Sequence, residues 1–112
     1  MRRIAANKTF ISVSGNILLR TITEIGEDAF VVRCFSFERE MNATEWFPGL
    51  IVLSPISPES FAKESGSFSD FASRLSQASL NQSLQVCKAY LISPFDLLEM
   101  RFLPSSRVSA LG

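Results

Sequence analysis

Histidine is absent from the 112 residues of this sequence. Histidine is the usual general base, the usual activator of a Ser or Cys nucleophile and the commonest transition-metal ligand. Its absence excludes most hydrolytic triads and most mononuclear zinc or iron sites. The sequence also lacks a G-x-S-x-G elbow, a dinucleotide-binding glycine motif and a P-loop. We therefore predict no catalytic residue, no metal ligand and no cofactor, and we expect that the protein is not an enzyme.

The sequence also lacks net charge and long apolar runs, and it contains two cysteines. Eleven basic and eleven acidic residues cancel, so we expect no nucleic-acid partner. No apolar stretch approaches the roughly 20 residues that span a bilayer, and no apolar region follows Arg2 and Arg3 as in a signal peptide. Cys34 and Cys87 lie in separate apolar runs, which indicates buried, reduced thiols. These features predict a cytoplasmic protein with no membrane association.

The apolar content, 46% of the chain, predicts one globular domain over residues 1–112. Residues 1–53 have the alternation and turn residues of strands. The segment Ala29–Phe37 carries bulky side chains on both faces, which predicts a central strand covered on both sides. The apolar run Leu50–Leu53 predicts a short buried strand after a Pro-Gly turn. A polar connection is expected between them, from Glu38 to Glu45.

Residues 57–82 are predicted to form a helical segment. Ser57 is expected as the N-cap of a short first helix, with Pro58 at its first position. A second helix is expected to begin near Ser67, because Phe68 and the apolar residues after it recur at helical spacing. The spacing changes phase near Asn81, which predicts either a break there or a helix that rotates its buried face.

Residues 89–111 return to strand character. We predict a turn at Ser93–Asp96 and a strand at Leu97–Leu103 that pairs with a strand from the first 37 residues. The predicted fold class is α+β: a small β-sandwich or rolled sheet built from both chain ends, with the helical segment between them.

Segments near the two ends resemble the composite β-domain of the amidohydrolase superfamily of metal-dependent hydrolases. Phe47-Pro48-Gly49-Leu50-Ile51 is similar to the family's Pro-Gly-Phe-Ile segment, which leads into a His-x-His metal motif. The run from Lys88 to Asp96 is similar to the family's closing strand. In that family the composite domain flanks a (β/α)8 barrel that carries the chemistry.

The resemblance implies a β-domain without its catalytic barrel. The family's two histidines would fall at Ser54 and Ile56, neither of which binds a metal as histidine does. A barrel needs roughly 250 residues, and only a few dozen separate the two matching segments. The family's hydrolytic activity is therefore not expected here.

The predicted function is a non-catalytic module that self-associates, as a dimer, or binds a protein partner. Trp46 and Phe47 are the candidate interface residues, because aromatic side chains dominate interface hot spots. A lid over the core is an equally good interpretation of this pair. The alternative function is a small-molecule-binding or metal-independent enzymatic domain whose site is built from acidic, Arg and Ser side chains. Asp96, Glu99 and Arg101 are candidates for it, unless they only cap a turn on a solvated strand.

Overall fold

The computed structural model describes residues 1–37 and 44–112, which form one mixed sheet with two α-helices packed on it. The strands are β1 (Arg2–Ile11), β2 (Asn16–Ile25), β3 (Val31–Ser36), β4 (Thr44–Trp46), β5 (Leu50–Ser54), β6 (Lys88–Asp96) and β7 (Arg101–Ala110). The helices are α1 (Glu59–Glu64) and α2 (Phe68–Ala78), and Leu84–Val86 forms a single 3-10 turn. This is the predicted α+β class.

The sheet is built from both chain ends. Its strand order is β3-β2-β1-β5-β6-β7, and β4 pairs with β1 beside the start of β5. The strands β4 and β5 run parallel to β1, and the other pairs are antiparallel. Ser54 at the end of β5 lies opposite Lys88 at the start of β6. The helical segment therefore connects β5 and β6, two strands that are neighbours in the sheet.

The sheet is rolled. The N–H of Val31, at the start of β3, donates to the carbonyl of Cys87, just before β6, at 2.9 Å. Three strands separate β3 from β6 in the sheet order, so this contact requires the sheet to curve back on itself. We call the concave side the inner face and the convex side the outer face.

Both faces carry a buried cluster. The inner cluster includes Ile4, Ala6, Ile25, Val31, Ile51, Leu53, Cys87, Ala89 and Leu111. On the outer face, α2 packs Phe68, Phe71 and Leu75 onto sheet residues. Those sheet residues are Phe10, Leu50, Val52, Ile92 and Phe95. Because β5 contributes to both clusters, all five of its residues are buried, as its apolar run predicts.

The helices begin close to the predicted positions. The Oγ of Ser67 accepts the N–H of Asp70 at 3.1 Å, so Ser67 caps α2. The first helix begins one residue later than predicted, at Glu59, although the Oγ of Ser57 still accepts the Glu59 N–H. The α2 helix ends at Ala78, and Asn81 follows with a φ of 66°, which confirms the break.

Three predictions about strands are wrong. The segment predicted as a central strand forms β3, which lies at the edge of the sheet, because β2 is its only ladder partner among residues 1–37 and 44–112. The predicted turn at Ser93–Asp96 is the second half of β6, and the turn lies at residues 97–100 instead. The segment Leu97–Leu103 pairs with no strand from the first 37 residues, since β7 pairs with β6 and β6 with β5.

Proline at position 94 explains part of this error. Pro94 lacks an N–H, and proline within a strand is typical of an edge or a bulge. The β6–β7 pairing shifts between Ser93 and Phe95, and the hydroxyl of Ser106 donates to the Pro94 carbonyl across the irregularity. The predicted connection from Glu38 to Glu45 falls mostly on residues 38–43, outside the described residues.

Gly49 is the position where the Pro-Gly segment needs glycine. Its φ is 126°, a region that other residues rarely adopt, and a Cβ placed there would lie 2.5 Å from the carbonyl oxygen of Ile92. The close approach of this turn to β6 sets up the β5–β6 ladder that follows.

Candidate functional site

Trp46 and Phe47 point to opposite faces of the sheet. Trp46 lies opposite Ala5 of β1 on the outer face, with 46% of its surface exposed. Phe47 is half-buried and packs against the inner cluster, and its backbone N–H donates to the carbonyl of Ala5 at 3.0 Å. Phe47 is therefore positioned to cover the core, whereas Trp46 is positioned to contact a partner at the surface.

Trp46 belongs to a group of aromatic and arginine side chains that we call the outer aromatic patch. Its ring meets that of Phe37 edge to face, with centroids 5.4 Å apart. Phe37 packs with Phe35 over Ala5 and Ile22. The patch comprises Phe35, Phe37, Trp46, Arg20 and Arg33.

The two arginines lie against aromatic rings of the patch. The guanidinium of Arg33 lies 4.8 Å from the centre of the Phe35 ring, and that of Arg20 lies 5.8 Å from the Phe37 ring. Both distances are within the range of cation–π attraction. Among the described residues, no helix packs on the Ala5–Ile22–Phe37 cluster beneath the patch.

A buried carboxylate lies beside the patch. Glu24 is 3% exposed and accepts hydrogen bonds from Arg33 of β3 and, at 2.9 Å, from Arg3 of β1. The bond from Arg33 and then that from Arg3 hold the pKa of Glu24 below its ordinary value, against the opposing effect of burial. Two guanidinium groups thus flank the Glu24 carboxylate. The triad of Arg3, Glu24 and Arg33 links β1, β2 and β3 across the sheet.

Asp96, Glu99 and Arg101 have the geometry of a capped turn. An Asp96 carboxylate oxygen accepts the Glu99 N–H at 3.0 Å, and the other is 3.4 Å from the Arg101 guanidinium. The hydrogen bond from the Glu99 N–H, followed by that from Arg101, lowers the pKa of Asp96. The Asp96 carboxylate therefore serves as the cap of the turn at residues 97–100, held by the Glu99 N–H on one oxygen and by Arg101 on the other.

A cavity of about 440 Å³ lies between α1 and β7. Its apolar lining includes Ile92, Phe102 and Val108, and its polar lining includes Glu59, Lys63 and Arg107. Among the described residues of this lining, Glu59 carries the one carboxylate, and its Oε1 lies 3.3 Å from the Lys63 Nζ. The cavity is therefore a groove with both apolar and charged walls.

The two cysteines are free. Cys87 is completely buried in the inner cluster, and this burial raises the pKa of its thiol to about 11. Cys34, on the edge strand β3, is half-buried and receives a hydrogen bond from the Thr23 hydroxyl. Burial raises the pKa of the Cys34 thiol as well. Neither thiol has the environment of a nucleophile, which requires a lowered pKa.

Two further findings concern metals and membranes. Within residues 1–37 and 44–112, no three metal-ligating side chains of the His, Cys, Asp or Glu type lie together. None of the helices in the same ranges has the length and apolar character that a membrane crossing requires.

Trp46 is the one member of the patch that the sequence singled out, and Arg20 and Phe37 are among the members that it missed. Strand periodicity could not identify them, because Arg20 has a φ of 50° and Phe37 lies one residue beyond β3. The parallel pairing of β4 with β1, which brings Trp46 to this face, joins segments about 40 residues apart and leaves no local signal.

No protein-family model, curated protein or solved structure matches the chain.

Proposed function

We propose that this protein is a non-catalytic interaction module that associates with a second copy of itself through the outer aromatic patch. The observation that carries the proposal is the difference between the two halves of the outer face. Helix α2 covers one half, whereas Trp46 stands 46% exposed on the other. Exposed apolar area of this kind favours association.

The composition of the patch agrees with this function. Aromatic residues and arginine are enriched in the cores of protein interfaces, and Trp and Arg are the commonest hot-spot residues. Trp46 rests on Phe37, which is 9% exposed, so its ring is held by packing before any partner arrives. A pre-organised anchor loses little side-chain entropy on binding.

A second copy is the partner that the patch fits by its own chemistry. A two-fold interface brings the same surface together from both subunits and must therefore be self-complementary. The patch supplies both members of a cation–π pair, an exposed indole ring in Trp46 and a guanidinium in Arg20. Each copy can place its guanidinium over the indole of the other.

We further propose that the chain descends from the composite β-domain of an amidohydrolase that lost its catalytic barrel. This descent is supported by the pairing of Ser54 with Lys88, since the chain leaves the sheet and returns at adjacent points. Such sites tolerate the insertion or loss of what lies between them. We place the protein in the cytoplasm, where two free thiols persist in the reduced state.

Trp46 is the sole tryptophan of the chain, so its fluorescence reports directly on the proposed contact. We expect the emission maximum to shift to shorter wavelength as protein concentration rises, in parallel with a doubling of mass by light scattering. Trp46→Ala should remain monomeric over the same range. The control is Leu98→Ala, which removes an 88% exposed side chain from the turn at residues 97–100 and should dimerise normally. A wild-type chain that stays monomeric at high micromolar concentration contradicts the proposal.

A further inference from the structure

The cavity between α1 and β7 runs along the edge of the sheet. Two runs of consecutive β7 residues line it, 102–104 and 106–109, and residues 107–109 of the second run lie in the regular ladder with β6. Side chains of a strand alternate between faces, so a cavity above one face would touch every second residue. Contact with consecutive residues means that the cavity also touches the strand's outer edge. It is therefore a groove with the edge of β7 as one wall and α1 as the other.

The β7 edge offers free backbone groups at this groove. The Leu111 N–H donates to the Ala89 carbonyl at 2.9 Å, so these two residues form a hydrogen-bonded antiparallel pair. Hydrogen-bonded and non-hydrogen-bonded pairs alternate along such a ladder. Ala110 and Val108, which lie opposite Tyr90 and Ile92, are therefore in non-hydrogen-bonded pairs. Their N–H and C=O groups point away from β6, toward the space beyond the sheet.

The charge of this edge has one sign. The β7 sequence contains Arg101 and Arg107 and no acidic residue. Arg101 is paired with Asp96, whereas no carboxylate of the described residues forms an ion pair with Arg107. A strand added beside β7 would gain from an acidic residue opposite Arg107, because opposite charges stabilise cross-strand pairs.

We propose that the groove binds an extended peptide segment of another protein, which adds to the sheet as an antiparallel strand beside β7. Its backbone exchanges hydrogen bonds with Val108 and Ala110. The residue opposite Val108 is apolar and enters the groove beside Phe102 and Ile92. The neighbouring residue, opposite Arg107, is Asp or Glu. The ligand is thus a segment in which apolar and acidic residues alternate, recognised by backbone pairing with side-chain pockets.

A second copy of this chain does not fit this edge. Among the described strands, β3 and β7 end the strand order, and the three-residue β4 also has a single ladder partner. β3 and β7 carry arginine and no acidic residue, and Glu45, the acidic residue of β4, is already paired with Arg2. Pairing either with β7 would bring like charges onto neighbouring strands, which is destabilising. The peptide site is therefore separate from the surface that we propose for self-association.

The test uses fluorescein-labelled peptides and the full-length protein, with binding followed by fluorescence anisotropy. The first peptide alternates valine with glutamate, and the second has lysine in place of glutamate. We expect the glutamate peptide to bind at least about fivefold more tightly than the lysine peptide. Arg107→Glu should reverse this preference. Arg74→Gln, on α2 and outside the groove lining, should bind both peptides as the wild type does.

Two backbone-methylated peptides test the strand addition. Antiparallel pairing with Val108 uses the valine N–H groups of the peptide, so methylating those nitrogens should weaken binding by about tenfold or more. Methylating the glutamate nitrogens should leave most of the affinity. Equal affinity of the two methylated peptides, or an unchanged preference in Arg107→Glu, overturns the proposal.

One variant separates this site from the proposed dimer contact. Trp46→Ala should bind the glutamate peptide with wild-type affinity, whether or not it alters the mass of the protein. If Trp46→Ala loses the peptide while Arg107→Glu retains it, the peptide site lies at the outer aromatic patch and the groove has no such role.

Discussion

The strands β3 and β5 are both rich in apolar residues, yet the fold uses them in opposite ways. All five residues of β5, Leu50–Ser54, are buried. Of the six residues of β3, Val31–Ser36, Val31 alone is buried. The strand β5 lies between β1 and β6, with the inner cluster on one side and α2 on the other. The strand β3 lies at the edge, on the half of the outer face where the described residues place no helix.

The comparison shows that position in the sheet, and not composition, decides how much each apolar strand contributes. The edge strand is held by a different set of interactions. Val31 enters the inner cluster, and its N–H reaches the Cys87 carbonyl. Arg33 binds the buried carboxylate of Glu24 and covers the ring of Phe35. The central strand is thus held by apolar packing on both faces, and the edge strand partly by charge.

The most drastic way to alter this arrangement is to truncate the chain after Ser93. The truncation removes β7 and the end of β6, and it takes Phe95 and Leu111 out of the outer and inner clusters. We expect loss of the cooperative fold, because β6 becomes an unprotected edge and both faces lose buried apolar contacts. Thermal unfolding followed by circular dichroism measures this. A cooperative transition near the full-length temperature would show that the C-terminal strands are dispensable, and the composite-domain proposal would fail with it.

A matched pair of valines measures the difference between the strands directly. Val52 of β5 is fully buried, whereas Val32 of β3 is 41% exposed. We expect Val52→Ala to lower the free energy of unfolding by about 2 kcal/mol, since it removes buried methyl groups and leaves a cavity. Val32→Ala should change the free energy by less than about 0.5 kcal/mol. Urea denaturation of both variants provides the values, and equal losses would contradict the assignment of β3 as the edge.

The sequence predicts those parts of the fold that depend on local signals. The fully apolar run of β5 is recognisable because it needs cover on both faces, and the start of α2 is recognisable because Ser67 can cap it. The position of β3 was wrong, because bulky residues on both faces are also compatible with an edge whose aromatic side chains lie beneath arginines. Local periodicity does not encode which strand becomes the neighbour.

The candidate site is less predictable for the same reason. The sequence indicated Trp46 and Phe47 as a pair, but the face to which each points depends on the pairing of β4 with β1. The groove beside Arg107 depends on the close approach of α1 to β7, which are separated by about 40 residues in the chain. Both features arise from long-range pairing, and neither leaves a motif.

Lowering the pH tests the charge-based part of this comparison. Protonation of Glu24 on β2 weakens its interaction with Arg33 of the edge strand β3. The folded-state pKa of this carboxyl is lowered. Its contribution to stability is therefore complete above the unfolded pKa, near 4.5, and is lost as pH falls through the folded value. We expect Glu24→Gln to be less stable than the wild type at neutral pH and to show a shallower loss of stability below about pH 4.5. The measurement is the urea midpoint between pH 7 and pH 2. Parallel pH profiles for the two proteins would contradict the triad's role, and Asp70→Asn, in an exposed pair with Arg74, is the control.

The smallest expected effect is a difference in reactivity between two thiols, one on the edge strand β3 and one in the inner cluster. Cys34 lies on the edge strand and is half-buried, whereas Cys87 lies just before β6 and is fully buried. Burial raises the pKa of both thiols, that of Cys87 to about 11, so few thiolates exist at pH 8 and both should react slowly in the native protein. Cys34 should still react before Cys87, because fraying of an edge strand exposes it without opening the inner cluster. Labelling with a thiol reagent, followed by peptide mass spectrometry, gives the order, and denaturant should make the two rates equal. If Cys87 reacts first, the inner cluster opens more readily than the edge, and the contrast between a packed centre and a labile edge does not hold.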